Sequence, residues 1–407
     1  MPTTHTTGTL LRTTTTRTTA TMLSPSSHLT DTGTEHVTLE EVFDAYFVCR
    51  KHKRNTVSAL KFEKDYITGC YRLWQELNSQ TYRIGTSVAF CVSYPKLREV
   101  FAADFRDRIV HHLIINKLNW HFEQQMLESS FACRTGKGTL YGVKSIQESM
   151  KRIGRSAWYA KCDISGFFMS IDRDVLMREI ERIVRESGIE DSEWWLWLLR
   201  TVVMNRPERN CDLHGDLTLW NKLPRNKSLF HSNGKGLPIG NLTSQVFANV
   251  YLSMFDRWIA KEIGEGGEYG RYVDDFIVCL YDKKKLLEIV KEARLWLSDN
   301  LKLTMHPQKQ SIQQVGKGVR FTGVHIVQDC LLPSKRLVEN TFRMADDIAE
   351  GRMTDREKIR NRINSRLGLM VHYNSWNIRR RIWRRMSRGG KARELGIILV
   401  NHKKLLV

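Results

Sequence analysis

Apolar side chains recur at helical spacing in several parts of the chain. Between Leu39 and Trp74, short apolar clusters alternate with Lys and Arg, which predicts two basic helices. Residues 96–128 and Leu242 to Trp258 have similar spacing, so we expect helices there. Asp172 stands where an N-cap is expected, directly before an amphipathic stretch that runs to Val184.

Two other segments have the composition of strands. Trp158 to Phe168 is apolar apart from a few positions, and it predicts a central strand with an acid, Asp163, near its end. Tyr269 to Leu280 predicts two short strands that meet at a pair of acids. Residues 205–236 are rich in Asn, Asp, Gly and Pro, which predicts a long loop or an irregular hairpin. The order of elements indicates an α+β fold, with helices on one face of a small antiparallel sheet.

The N-terminal 34 residues are dominated by threonine and contain no acid before Asp31. They have too few apolar side chains to pack, so we expect a disordered tail. An organellar transit peptide and a true start at Met22 are the alternatives.

From Pro333 onward, the pattern is helical and basic. The cluster that begins at Arg379 includes Arg380 and Arg384, with Trp376 and Trp383 interleaved. Basic and aromatic side chains in alternation favour a grip on a nucleic-acid duplex, with a solvated basic helix as the alternative.

The overall charge strengthens the case for a nucleic-acid partner. Lys and Arg number 64 against 44 Asp and Glu, a formal net charge of +20, which a phosphate backbone would neutralise. A merely soluble basic surface is the alternative. The 8 cysteines are scattered, which is typical of a reducing cytosol. No apolar run approaches the ~20 residues that would cross a bilayer, so we expect no membrane partner.

Asp274 and Asp275 are adjacent acids inside an apolar run. Carboxylates in such surroundings need a compensating cation, and Mg²⁺ prefers carboxylate oxygens. Asp163 can supply a third carboxylate to a site that holds two ions, with Mn²⁺ able to substitute. The alternative for the pair alone is an ordinary turn. A zinc site from Cys211, His214 and His231 is conceivable, but its spacing matches no standard pattern.

Three strings in the chain resemble palm motifs A, B and C of reverse transcriptases, in that order: Lys161 to Phe168, Gly240 to Gln245 and Tyr272 to Asp275. Residues 98–111 and 131–138 resemble the two finger motifs, 306–309 resembles motif D, and 319–323 resembles the primer-grip hairpin. The resemblance spans about residues 90–330.

The resemblance implies a right-hand polymerase fold with fingers, palm and a short helical thumb. The expected divisions are a tail over residues 1–35, N-terminal helices and fingers over 36–155, a palm over 156–332 and a thumb over 333–407. The implied activity is RNA-directed DNA synthesis from dNTPs on an RNA template, with an RNA/DNA duplex as product.

The implied roles can be stated residue by residue. The metal ligands would be Asp163, Asp274, Asp275 and the Ile164 carbonyl, and the catalytic residues would be the three aspartates and Lys309, which would protonate the pyrophosphate leaving group. The residues that bind the nucleotide would be Arg134, Lys137, Phe168, Ile239, Gly240 and Gln245. At the primer grip, Arg320 and Gly323 would contact the duplex. An aromatic at Phe168 favours deoxynucleotides, since a bulky side chain there would clash with a ribose 2′-OH.

Motif B points to a subtype. The strings Leu223 to Phe230 and Gly236 to Gln245 resemble the reverse transcriptases of diversity-generating retroelements, with Ile239 where Gln is common. This implies a bacterial or phage-encoded cytoplasmic enzyme, error-prone at template adenines, that assembles with a small basic accessory protein. A retron-like or phage-defence reverse transcriptase is one alternative. A non-catalytic nucleic-acid-binding protein with a palm-like fold is another.

Overall fold

A computed structural model describes residues 35–51, 56–94, 96–400 and 403–406. The expectations for the Thr-rich segment fall on residues outside this described part. The helices are α1 (Leu39–Arg50), α2 (Val57–Glu63), α3 (Tyr66–Asn78), α4 (Phe105–Glu123), α5 (Thr139–Ile153), α6 (Phe167–Ser170), α7 (Arg173–Glu186), α8 (Ser192–Val203), α9 (Leu242–Ile263), α10 (Lys283–Leu301), α11 (Lys335–Ala349), α12 (Arg356–Met370), α13 (Trp376–Met386) and α14 (Lys391–Glu394).

The strands are β1 (Ser87–Val92), β2 (Arg98–Ala102), β3 (Trp158–Asp163), β4 (Cys211–His214), β5 (Glu268–Tyr272), β6 (Asp275–Leu280), β7 (Ser311–Gln314), β8 (Val319–Phe321), β9 (Val324–Ile326), β10 (Leu331–Pro333), β11 (Ile398–Val400) and β12 (Lys404–Leu406). The central sheet is antiparallel, in the order β5-β6-β3-β7. The smaller sheets have the orders β2-β1-β4, β10-β9-β8 and β11-β12. A mixed helix-and-sheet fold is therefore confirmed.

Both faces of the central sheet are covered, because β3 and β6 are apolar on both faces. Cys162 and Phe276 point into the main core, which includes side chains from α7, α9 and α10. Tyr159 and Ile277 point the other way, into a second core with α5 and the β8–β9 hairpin. Strands without polar alternation are buried on two sides. The prediction of helices on one face only was therefore wrong.

Local signals predicted several elements well. Asp172 caps α7, with Oδ1 accepting from the Val175 N–H at 3.2 Å. The helix expected from Leu242 is α9, and it continues to Ile263. α9 is buried nearly all round because it packs against α4, α7 and α10. The two strands expected between Tyr269 and Leu280 are β5 and β6.

Other boundaries differ from expectation. The two basic helices predicted near the N-terminus are three, α1 to α3, and residues 96–128 begin with strand β2 before helix α4. β3 ends at Asp163, and the chain turns into α6. Residues 205–236 contain β4, which pairs in parallel with β1, and short 3₁₀ turns. The basic C-terminal segment has a core of its own, shared by α11 to α14, and ends in β11 and β12. None of the described helices is long and apolar enough to cross a membrane.

Candidate active site

The hairpin between β5 and β6 places two acids at one end of the central sheet. Tyr272 is the register partner of Asp275, so Val273 and Asp274 form a tight turn. Val273 has φ of 57°, a left-handed conformation that is unfavourable for a β-branched residue. The Ile164 N–H donates to the Asp274 carbonyl at 3.2 Å, which ties the turn to the end of β3.

Asp163 lies directly across from this hairpin. It is the last residue of β3 and the register partner of Asp275 on β6. Non-consecutive strands therefore bring an acid from motif A beside the adjacent acids of motif C. The sequence predicted this convergence, and the antiparallel pairing of β3 with β6 accounts for it.

Two of the three acids are paired with lysines. Lys309 Nζ lies 2.9 Å from Asp163 Oδ1, and Lys161 Nζ lies 3.1 Å from Asp275 Oδ1. The loop that carries Lys309 is shaped by His306, whose backbone N–H donates to the Asp163 carbonyl and whose Nδ1 accepts from the Lys309 N–H. Lys161 was not among the site residues predicted from the sequence. Its position two residues before Asp163 on one strand, and hence on the same face, was the available signal.

The surroundings of Asp274 disfavour the ionised form of its carboxyl. Burial, followed by repulsion from Asp163 and Asp275, raises the pKa of Asp274 to about 6, with Lys309 acting in the opposite direction. Desolvation and like charges both disfavour the ionised carboxyl. Positive charge added beside Asp274 would lower its pKa.

The donor set suits a hard divalent ion. Carboxylates from Asp163, Asp274 and Asp275, with the Ile164 carbonyl, are the oxygen ligands that Mg²⁺ prefers. Within the described residues, however, no three His, Cys, Asp or Glu side chains are already arranged around a metal position. Asp163 and Asp275 instead face lysines, which an incoming ion must displace. The same finding gives the zinc alternative at Cys211, His214 and His231 no support.

In the predicted triphosphate-binding loop, the side chains of Arg134 and Lys137 contact other residues of the protein. The Arg134 side chain is 5% exposed, with Nε 2.7 Å from Glu123 Oε2 and Nη1 2.6 Å from the Leu127 carbonyl. Lys137 Nζ lies 2.9 Å from both the carbonyl and the carboxylate of Glu128. Both side chains therefore brace their own loop, and contact with a nucleotide requires them to leave these partners.

Motifs A and B meet at a small apolar cluster. Phe168 and Ile239 pack against the same buried group, which includes Phe101. Backbone bonds fix the arrangement, since the Leu237 N–H donates to the Phe168 carbonyl and the Phe101 N–H donates to the Ile239 carbonyl, both at 2.8 Å. Gly240 follows with φ of 125°. The structure thus brings these predicted nucleotide-binding positions together, and Gln245 is exposed on the first turn of α9.

Glu99 is a residue that sequence analysis missed. Its carboxylate on β2 is completely buried, and it accepts from Trp220 Nε1 at 2.7 Å, Ser228 Oγ at 2.8 Å and the Leu229 N–H at 2.6 Å. These donors lie in the segment that resembles the retroelement enzymes or just before it. Glu99 therefore fixes this segment against β2, close to the Phe168–Ile239 cluster.

The predicted nucleic-acid contacts divide into two groups. Arg320 is exposed beside a tight turn in which Thr322 and Gly323 have φ of 47° and 83°, and Arg384 is also exposed. Arg380 lies over the Trp376 ring, 4.7 Å from its centroid.

Arg379 differs, because it is only 6% exposed and its Nε donates to Ser375 Oγ at 3.2 Å. The assignment of Arg379 to the duplex-binding surface was therefore wrong. On α13 it faces the inside of the helical segment.

Comparison with known proteins identifies the family. The model of "Reverse transcriptase (RNA-dependent DNA polymerase)" matches residues 95–326. Protein YkfC of Escherichia coli is 22% identical over 266 residues, which cover 57% of this chain and 64% of that protein. The putative COX1/OXI3 intron 1 protein of Saccharomyces cerevisiae is 22% identical over 194 residues, 47% of this chain and 20% of that protein. The chain thus spans less than two thirds of the length of either relative.

A solved structure of apo telomerase from Candida tropicalis is 12% identical and aligns with a TM-score of 0.47, over 78% of this chain and 64% of that chain. The family model covers more than half of the sequence, including all three aspartates and both flanking lysines. The protein therefore belongs to the reverse transcriptase (RNA-dependent DNA polymerase) family.

Proposed function

We propose that this protein is an RNA-directed DNA polymerase that extends a primer on an RNA template with dNTPs. The observation that carries the proposal is the register of Asp163 opposite Asp275, with Asp274 beside them, inside the region that matches the family. In this proposal residues 156–332 are the palm, 36–155 include the fingers and 333–407 form the thumb.

Asp163, Asp274, Asp275 and the Ile164 carbonyl would hold two Mg²⁺ ions. When bound there, the ions would supply the positive charge that favours the deprotonated attacking hydroxyl and the leaving pyrophosphate. Phosphoryl transfer is mainly a matter of positioning and charge stabilisation, and the rigid β3–β6 pairing supplies the first of these. Lys309 would leave Asp163 when an ion binds, which frees its ammonium group to donate a proton to the leaving group.

Two exposed arginines, Arg320 and Arg384, and the half-buried Arg380 support contact with a polyanion. Arg320, Arg380 and Arg384 would contact the backbone of the RNA/DNA duplex, and Trp376 offers a stacking surface under Arg380. Phe168 would select deoxynucleotides. Arg134 and Lys137 would reach a triphosphate only after release from Glu123 and Glu128.

We further propose membership in the diversity-generating retroelement subtype, with errors at template adenines. The support is Ile239, an apolar side chain packed in an apolar cluster where a hydrogen-bonding amide is common. Loss of a positioned polar group weakens discrimination between similar substrates. A small basic accessory protein would then be a partner. Exposed apolar side chains on α1 to α3, among them Phe47 and Ile67, provide one surface for protein contact.

The deciding experiment is primer extension on a defined RNA with Mg²⁺. We expect DNA synthesis with dNTPs, little synthesis with NTPs, and loss of at least about 10³-fold in rate for a D274N/D275N variant. The matched control is D299N, which changes an exposed acid on α10. Unchanged extension by the double variant, or none by the parent, would contradict the proposal.

A further inference from the structure

A completely buried ion pair lies behind the catalytic hairpin. Arg271 on β5 and Asp256 on α9 are both 0% exposed. Arg271 Nε lies 2.7 Å from Asp256 Oδ1, and Nη2 lies 2.6 Å from Oδ2, so the contact is bidentate. The Tyr269 hydroxyl also donates to Asp256, at 2.6 Å. Removal of one partner would leave an uncompensated charge in the core.

The remaining donors of Arg271 contact the active-site region. Nη1 donates to the Val273 carbonyl at 3.0 Å and to Asn249 Oδ1 at 3.2 Å, while Nη2 donates to Ser130 Oγ at 3.0 Å. With the two bonds to Asp256, these contacts use the five N–H groups of a guanidinium. Lysine cannot reproduce this planar arrangement.

The Val273 contact acts on the hairpin itself. Val273 holds a left-handed backbone conformation immediately before Asp274. A residue in that conformation persists only where its surroundings fix it. The guanidinium provides such a constraint because it anchors the carbonyl of that residue from inside the core.

The other contacts reach the loop that carries Arg134 and Lys137. The Arg271 backbone pairs with the segment before that loop: its N–H donates to the Ser129 carbonyl at 2.8 Å, and its carbonyl accepts from the Phe131 N–H at 3.0 Å. Asn249 extends the link, since its Nδ2 donates to the Ala132 carbonyl at 2.7 Å. One side chain and its neighbours therefore join α9, the hairpin and the fingers segment.

We propose that Arg271 is a positioning residue that holds the Asp274 turn in place beside Asp163 and couples it to the loop that carries Arg134 and Lys137. This inference rests on the proposed polymerase function. It assigns to Arg271 a role in placing the acids and the nucleotide, beyond its contribution to core stability.

The test compares R271K with E179Q. Glu179 on α7 accepts from Arg182 on the same helix and from Arg257 on α9, and among the described hydrogen bonds none joins these three residues to the β5–β6 hairpin. E179Q therefore serves as a control for the weakening of a partly buried ion pair away from the hairpin. For R271K we expect the Mg²⁺ concentration at half-maximal stabilisation, measured by thermal unfolding without substrate, to rise by about tenfold. We also expect kcat to fall by about tenfold or more and KM for dNTP to rise. E179Q should change the melting temperature and leave the Mg²⁺ titration unchanged.

A second variant covers the case in which R271K does not fold. S130A/N249A leaves the ion pair intact and removes two of the guanidinium's acceptors and the link to Ala132. It should raise KM for dNTP by about threefold or more and shift the Mg²⁺ titration in the same direction as R271K.

A folded R271K with parental Mg²⁺ titration overturns the positioning role, and so does S130A/N249A with both parental titration and parental KM. A parent that binds Mg²⁺ but makes no DNA on RNA would instead refute the proposed function.

Discussion

Lys309 Nζ lies 2.9 Å from Oδ1 and 3.1 Å from Oδ2 of Asp163, on the carboxylate that the proposed metal site requires. Lys161 Nζ in turn lies 3.1 Å from Asp275 Oδ1. The cations therefore stabilise acids that would otherwise repel one another across adjacent strands. They also compete with any ion that binds. Lys309 should therefore weaken the binding of a metal ion to Asp163, although catalysis is proposed to require its proton.

Replacing Lys309 by Met should strengthen Mg²⁺ binding and slow catalysis. Without the ammonium group, Asp163 is free to bind an ion, so we expect the half-saturating Mg²⁺ concentration to fall by about twofold or more. Loss of the proposed proton donor should reduce kcat by about 10²-fold. Thermal titration measures the first quantity and single-turnover extension measures the second. K317M, at an exposed lysine, is the control, and a kcat equal to the parent's would remove Lys309 from the mechanism.

Replacing Asp274 by Asn should stabilise the protein when no metal is present. The pKa of Asp274 is about 6 in the folded chain against an ordinary value of 3.8, so the folded state holds this proton more tightly than the unfolded state does. Stability from this group is therefore greatest below about pH 4, and it is lost as the pH rises through 6.

In EDTA at pH 8, we expect D274N to melt about 1–3 °C above the parent. The gain should shrink toward pH 4 as the parent carboxyl takes up its proton. Thermal unfolding from pH 4.5 to 8 measures this, with D299N as the control. A D274N protein that is less stable than the parent at pH 8 would show that burial and repulsion from the neighbouring acids do not destabilise the ionised carboxyl of Asp274.

Short-range patterns predicted much of the site, and long-range pairing determined the rest. The cap at Asp172, the hairpin around Asp274 and the helix from Leu242 depend on neighbours within a few residues, so the sequence contains their signals. The order of motifs then placed Asp163 beside the hairpin.

Such local patterns could not predict which charged side chains are buried. Glu99 finds its donors more than 120 positions later in the chain, at Trp220, Ser228 and Leu229. Arg379 was predicted to lie on the surface although it is only 6% exposed, because a basic helix gives no local sign of which arginine is buried. Whether a charged residue is buried depends on partners that only the fold brings close to it. From the sequence alone, a single charged residue is expected to be exposed to solvent.

Gly240 should tolerate no side chain. A Cβ built on it would lie 2.7 Å from the Phe101 carbonyl oxygen and 2.9 Å from a Val100 methyl group, and its φ is +125°. We expect G240A to lower the free energy of unfolding by about 2–4 kcal/mol, as measured by urea denaturation.

The matched control is G368A in α12, where an added Cβ meets no atom within 4 Å. There we expect a gain of about 0.5–1 kcal/mol from helix propensity. Equal effects at the two positions would contradict the close approach of Gly240 to β2.

Replacing Ile239 by Gln should lower the error rate opposite template adenine. The Ile239 side chain lies in the apolar cluster with Phe101, while its carbonyl accepts from the Phe101 N–H, a contact that any residue here can keep. A glutamine amide would restore a hydrogen-bonding group near the nascent pair, and a polar contact discriminates more strongly than an apolar one. We expect misincorporation opposite adenine to fall several-fold, while errors opposite the other bases change little. Sequencing of cDNA made on a defined RNA measures both, with I239L as the control that keeps the side chain apolar. If I239Q errs at adenine as often as the parent, the apolar side chain does not cause low fidelity, and the retroelement assignment loses its physical support.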